Sequence, residues 1–284
     1  MTNTYDFRSR SYWENISKCW DMLGSPSRPS SEDLDFIKRR AFPHLQSLSP
    51  NPAQVTLLGV TPEIGLLPWP DNVKVLAVDR SPEMIGLVWP KDKVTNGEAI
   101  SGDWHTLPLA DSSCDMVVGD CCFTLLDYSN GYQTVLKEIF RVLKPQGLFS
   151  MRFFLRPDLR EKVETIFEQL KAGSIGNLVV FRWRLAMALQ KNTEEGVLVH
   201  DIWRMWQQNI PAPDELMQHL GWSLELLALM ACYENSPNVF RFPTLSEVRQ
   251  VFSSHFDEIS CDFPNYELGE RCPTMMFSPQ NKLK

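Results

Sequence analysis

The feature that most constrains this chain is a series of short apolar runs between residues 53 and 155, each broken by a polar turn and interleaved with helix-like stretches. Residues 54–59 read as a buried strand, and residues 73–78 as a second that ends at Asp79. A weaker third follows at 95–101, a fourth at 115–119 and a strongly apolar fifth at 148–154. Between them, 82–88 reads as a short helix. Residues 131–143 form a longer one, because Tyr132, Val135, Leu136, Ile139 and Leu143 share a face. Pro145 and Gly147 are expected to stop that helix. Strands alternating with helices imply a parallel sheet with right-handed crossovers, which binds ligands beyond the carboxyl ends of its strands.

The flanks differ. Residues 6–24 carry Tyr12, Trp13, Ile16, Trp20 and Leu23 at helical spacing, and a Pro- and Ser-rich stretch ends that helix. A second helix is expected from about Ser31, with Ser30 or Ser31 as N-cap. Leu34, Ile37 and Phe42 would be its buried side, and Pro43, Pro50 and Pro52 would close the segment. Residues 156–240 break the alternation and read as helices near 157–171, 176–191, 196–208 and 213–232. Leu159, Val163, Ile166, Phe167 and Leu170 fit one face of the first, and Trp183, Trp203, Trp206 and Trp222 make the region aromatic. Thr244 and Glu247 form a capping box opening a helix through Phe256. Ile259, Cys261 and Phe263 then alternate as in a strand, and 274–277 is its expected antiparallel partner. The organisation is thus an N-terminal helical cap segment (1–52), a core (53–155), a helical insertion or lid (156–240) and a C-terminal completion of the sheet (241–284).

Composition narrows the function classes. The net charge of -7 suits neither a broad phosphate-binding face nor nucleic acid. The seven cysteines are scattered without zinc spacing, so free thiols, no metal and a cytoplasmic protein are expected. Residues 1–10 are polar, so no signal peptide is expected there. No stretch approaches eighteen apolar residues, so no membrane partner is expected.

Five motifs carry chemistry. Strand one runs into Leu58-Gly59-Val60-Thr61-Pro62-Glu63, with one glycine where a dinucleotide loop has three. Asp79 follows twenty residues later, where a carboxylate can accept from both hydroxyls of an adenosine ribose; a solvated acid at a strand end is the alternative. Then come Gly102-Asp103-Trp104 with Leu107-Pro108-Leu109, Gly119-Asp120-Cys121, and Val142-Leu143-Lys144-Pro145-Gln146-Gly147-Leu148.

In that order the motifs over about 53–155 resemble the class I S-adenosylmethionine-dependent methyltransferases, with a looser match at 244–278. The resemblance implies a Rossmann-like α/β fold: a mostly parallel seven-stranded sheet with an antiparallel last strand, here with a helical cap. It also implies S-adenosylmethionine as cofactor, S-adenosylhomocysteine as product, and a set of roles. Gly59 and Thr61 would let the backbone approach the methionine part. Asp79 would hold the ribose, with Arg80 and Met84 flanking the adenine. Asp103 would accept from the adenine amino group, with Trp104 beside the ring. Asp120 and Cys121 would lie near the sulfonium, where a carboxylate suits the positive charge. The family's acid two residues before the first glycine is Leu57 here, and Glu63 is a candidate substitute that would contact the cofactor's ammonium group.

The nucleophile is not named by the sequence. Asp120-Cys121-Cys122 lacks the patterns used on nucleic-acid bases, so a small organic acceptor, methylated on oxygen or nitrogen, is the expected partner, and a homodimer is an expected assembly. Candidate bases are His105, Tyr128, His200 and Asp201, each with a structural alternative. Three rivals stay open: a nicotinamide-dependent oxidoreductase, an aminopropyl-type transferase, and a non-catalytic cofactor-binding or assembly protein that kept the fold.

Overall fold

The computed structural model describes residues 13–128 and 130–280. Residues 13–18 are helical, and the part of the expected 6–24 helix before residue 13 lies outside the described residues. Helix α1 (Ser31–Ser47) starts where the sequence places it, because Ser30 and Asp33 close a reciprocal capping box. Its buried face is Ile37, Ala41 and Leu45, with Leu34 and Phe42 only packed at the margin. Pro43 does not close it. The helix runs four residues further, anchored by the burial of Leu45 against the sheet.

The core then unfolds in chain order as β1 (Ala53–Leu58), α2 (Pro62–Gly65), β2 (Val73–Asp79), α3 (Pro82–Leu87), β3 (Gly97–Ser101), β4 (Cys114–Asp120), α4 (Asn130–Val142) and β5 (Leu143–Arg152). The helical layer follows: α5 (Val163–Lys171), α6 (Leu178–Leu189), β6 (Val197–Leu198), α7 (Val199–Asn209), α8 (Pro213–Leu220), α9 (Leu227–Ala231) and β7 (Val239–Phe240). Helix α10 (Leu245–Phe252) and strands β8 (Phe256–Asp262) and β9 (Thr274–Pro279) complete the chain. Seven strands form one sheet in the order β3-β2-β1-β4-β5-β9-β8. Neighbours from β3 to β5 are parallel, and β9 is antiparallel to both β5 and β8. This is the Rossmann-like sheet that the resemblance implied, with its last strand reversed.

Several boundaries differ from the sequence reading. β5 begins at Leu143, five residues early, and contains Pro145 and Gly147. Leu143 pairs with Cys114, the register shifts, and pairing resumes at Met116 with Leu148, so the proline sits in a bulge that demands no amide from it. α5 starts at Val163, and Leu159 is 88% exposed on a loop before it, not on a buried helical face. The expected 213–232 helix is broken at Gly221, whose φ of +68° takes the left-handed conformation that ends α8. The helix expected to reach Phe256 stops at Phe252, and Phe256 opens β8. β6 and β7 pair as a two-residue antiparallel ladder that the sequence did not signal.

Packing places the cap. Ile16 and Leu23 share one buried cluster with Phe154, Trp183, Trp206 and Phe240, so the N-terminal segment and the 156–240 helices pack on each other. The two faces of the sheet are covered separately: α4 and α10 cover one face, and α1, α2 and α3 the other. Among the described residues, no helix is long and apolar enough to cross a membrane.

Candidate active site

Strands β1, β2, β3 and β4 all end at the same sheet edge, and their carboxyl ends open into a cavity of about 640 Å³. Gly59 follows β1 with φ +88°, a conformation that glycine adopts without strain, and its amide donates to the Val78 carbonyl at 2.9 Å. A Cβ on Gly59 would lie 3.8 Å from both Asp79 Oδ2 and the Trp104 ring, so turn, carboxylate and indole converge on one spot. Asp79 ends β2. Its Oδ1 accepts the Ser81 amide at 2.8 Å, and burial pushes its carboxyl up to about 6 against the opposing pull of that bond and of Arg80. Trp104 is fixed by donation from Nε1 to the Val78 carbonyl at 2.7 Å. Asp103 beside it resists charging through burial, but bonds from the His105 amide (2.9 Å) and ring (2.8 Å) outweigh that and hold it below the usual carboxylate range.

These residues fit the adenosine end of S-adenosylmethionine. A partly buried carboxylate with one oxygen engaged by backbone suits a ribose diol, a flat indole suits a purine, and a side-chain-free turn admits close approach. Gly59, Thr61, Asp79, Arg80, Met84, Asp103, Trp104, Asp120 and Cys121 all line the same cavity. Glu63 does not. It points to the N-terminal segment, where its Oε1 pairs with Arg28, whose guanidinium lies 5.6 Å from the Trp20 ring centre. No cavity-lining role follows for it.

Asp120 is in place but is not a bare charge. Its Oδ1 meets Nε of Arg152 at 2.6 Å with both side chains almost fully buried. Arg152 also donates to the Pro26 carbonyl at 2.8 Å and to the Tyr266 hydroxyl at 3.1 Å. The carboxylate expected to face a sulfonium is therefore shared with an arginine to which the sequence reading assigned no role at the site. Cys121 takes φ +54°, a left-handed conformation rare for a residue with a side chain, and its amide donates to the Arg152 carbonyl at 2.9 Å. Burial pushes the Cys121 and Cys122 thiols up, so both stay protonated and unreactive.

Of the four candidate bases, only His105 lines the cavity, and it is held against Asp103 at the adenine end. Tyr128 packs on Tyr132, with ring centres 5.3 Å apart. His200 stacks on Trp203 and accepts the Asn235 amide at 3.2 Å, while Asp201 pairs with Arg204 one turn along α7. None of these three lines the cavity.

The far wall comes from the two segments read as cap and lid, the N-terminal helices and the aromatic insertion. It is formed by Trp13 and Trp20 from the N-terminal segment and by Phe154, Trp183 and Phe240 beside the inserted helices, with Arg182 and Asn238 as its polar members. Trp183 is locked by donation from Nε1 to Ser27 Oγ at 2.8 Å, a bond that ties α6 to the N-terminal segment. The aromatic content of 156–240 was legible. Which rings would face inward was not, since that depends on packing between segments about 160 residues apart.

Residues 58–151 match the family model described as methyltransferase domain. An uncharacterized methyltransferase-like protein of Schizosaccharomyces pombe is 32% identical over 93 residues, 33% of this chain and 34% of that protein. The match spans little more than a third of the length of the curated relatives. Among solved structures, magnesium protoporphyrin IX methyltransferase from Synechocystis, crystallised with bound S-adenosylhomocysteine, superposes with a TM-score of 0.53 at 8% identity, covering 97% of this chain and 100% of that one. A chain described as a candidate Zn-dependent alcohol dehydrogenase from Rhodobacter sphaeroides superposes with a TM-score of 0.59 at 12% identity, covering 99% of each. At these identities both speak for the shared fold alone.

Proposed function

From the match of residues 58–151 to a methyltransferase-domain model and from the Rossmann-like sheet, we propose that the protein is an S-adenosylmethionine-dependent methyltransferase that methylates a small organic molecule on oxygen or nitrogen. The observation that carries this is the two-walled cavity. One wall is the carboxyl edge of the sheet, and the other is an aromatic layer from Trp20, Phe154, Trp183 and Phe240. A flat basic face suited to a polymer would argue otherwise.

When bound, S-adenosylmethionine supplies a methyl group activated by its sulfonium. The residues do the rest by placement. Asp79 and Trp104 fix the adenosine end, and the glycine turn at Gly59 lets the methionine part lie close to backbone. Asp120, balanced by Arg152, gives a carboxylate edge near the positive charge without a net buried anion. The aromatic wall would exclude water and hold the acceptor close to the methyl that the cofactor supplies, where proximity would account for much of the rate. The acceptor's proton leaves through the rim, where Asp127 is the most exposed of the lining carboxylates and is paired with Arg241 at 2.8 Å.

The test is titration calorimetry with S-adenosylmethionine, S-adenosylhomocysteine and NAD, followed by an acceptor screen. Saturable binding of the first two, lost in Asp79→Ala and weakened in Asp103→Ala, supports the reading. Binding of NAD alone would refute it, and binding of none would leave a fold kept for a non-catalytic role.

A further inference from the structure

Arg182 sits in the middle of α6, a helix buried along almost its whole length. Its side chain is 2% exposed, and it lines the cavity. Its neighbour two residues on, Arg184, is paired with Glu161. Arg182 has no carboxylate partner among the described residues. Its Nη2 donates to the Tyr233 hydroxyl at 2.6 Å and its guanidinium carbon lies 4.5 Å from that ring's centre, while Nε and Nη1 are buried with no hydrogen-bond partner. Tyr233 does not balance the charge, because burial pushes its phenol up and outweighs the pull of Arg182, leaving it neutral. The nearby Cys232 thiol is likewise pushed up to about 11.

A buried guanidinium without a counter-ion is costly, and desolvated charges are retained where something pairs with them. Asn238 lines the same cavity and leaves its Nδ2 donor unpartnered as well. Around them stand Trp183 and Phe240, their ring centres 5.4 Å apart. Three unsatisfied donor nitrogens, two of them on a guanidinium, among flat apolar rings describe a ligand with an anionic head and an aromatic body.

We propose that the acceptor is an aromatic monocarboxylate, held by its carboxylate on Arg182 and by its ring among Trp183 and Phe240. This rests on the methyltransferase reading above. The carboxylate is the handle and not the methylated atom, because pairing with a guanidinium withdraws the electron density a nucleophile needs. The methyl acceptor is then a hydroxyl or amine elsewhere on the ring system.

The experiment is titration of the S-adenosylhomocysteine-saturated protein with benzoate, cinnamate, 2-naphthoate and indole-3-acetate, each beside its neutral amide. At least one acid is expected to bind, about tenfold or more tighter than its amide, as a charge-assisted hydrogen bond supplies. Arg182→Met should abolish that preference, Arg182→Lys should keep part of it, and affinity for S-adenosylhomocysteine should stay unchanged in both. If Arg182→Met does not fold, the Lys variant carries the comparison. Acids that bind no better than amides, or no binding by any of the four, would overturn the proposal. So would loss of S-adenosylhomocysteine affinity in a folded variant, which would assign Arg182 to the cofactor's own carboxylate. Repeating the titrations without S-adenosylhomocysteine separates the two readings: if the cofactor does not bind but the acid preference persists, the methyltransferase reading fails and the anion site stands.

Discussion

If Asp79 holds the ribose as proposed, it should couple cofactor binding to pH in a way that can be worked out from its surroundings. Burial raises its carboxyl to about 6 in the folded protein, from an ordinary value of 3.8. A ribose diol donates best to the ionised form, so binding requires the proton to leave. For one group titrating near 6, the competent fraction falls from about nine-tenths at pH 7 to about one-tenth at pH 5, so affinity for S-adenosylhomocysteine should drop about tenfold, or about 1.4 kcal/mol. Stability should move the other way. The folded chain holds the extra proton between about pH 4 and 6, so through this group alone the free protein gains stability as pH falls across that window. Asp103 does not confuse the reading, since its His105 bonds keep it below the usual range and ionised throughout. The assay is titration calorimetry from pH 5 to 7.5 with a melting curve at each pH, on wild type and Asp79→Asn. The variant should bind more weakly at pH 7 and lose most of the pH slope. A flat wild-type profile, or an unchanged slope in Asp79→Asn, would show that Asp79 does not hold the ribose.

Three further outcomes are expected. Gly59→Ala should lower stability by about 1–2 kcal/mol through its φ of +88°, since the added methyl finds ordinary 3.8 Å contacts; a denaturant melt measures it. Asp120→Leu should cost about 3–5 kcal/mol by stranding Arg152 in the interior, and the Asp120→Leu/Arg152→Met double variant should recover much of that loss in a double-mutant cycle. Glu63→Ala should lower the melting temperature, by removing the partner of Arg28, while leaving S-adenosylhomocysteine affinity within about twofold; a larger loss of affinity would return Glu63 to the cofactor's ammonium group.

The core was legible because its signals are local. Strand apolarity, the Asp79 that ends β2, the Ser30 and Thr244 caps and the amphipathic α4 are each written within a few residues of one another. What escaped was set by distant partners. Pro145 reads as a helix stop, and only its pairing context, Leu143 against Cys114, makes it part of a bulged strand. Leu159 fits a helical wheel, yet nothing covers it. Arg152 and Arg182 look like ordinary charges in sequence. Their importance comes from Asp120, Pro26, Tyr266 and Tyr233, between 32 and 126 residues away, and from the closing of a cavity over them. The glycine-poor Gly59–Glu63 turn misled in one respect: Glu63 is engaged by Arg28, a residue from a segment with no strand or helix motif of its own.

The position of β9 bears on how the chain is assembled during synthesis. β8 joins the sheet only through β9, and β9 slots between it and β5. Until residues 274–279 have left the ribosome, β5 has one open flank, presenting the backbone of Phe149 and Met151, two residues that are fully buried in the finished sheet. The helical layer and the aromatic wall, up to Phe240, precede β9 in the chain. Any pairing of the earlier strands before β9 arrives leaves that sheet edge unsatisfied, the kind of edge most prone to pair with a neighbouring chain.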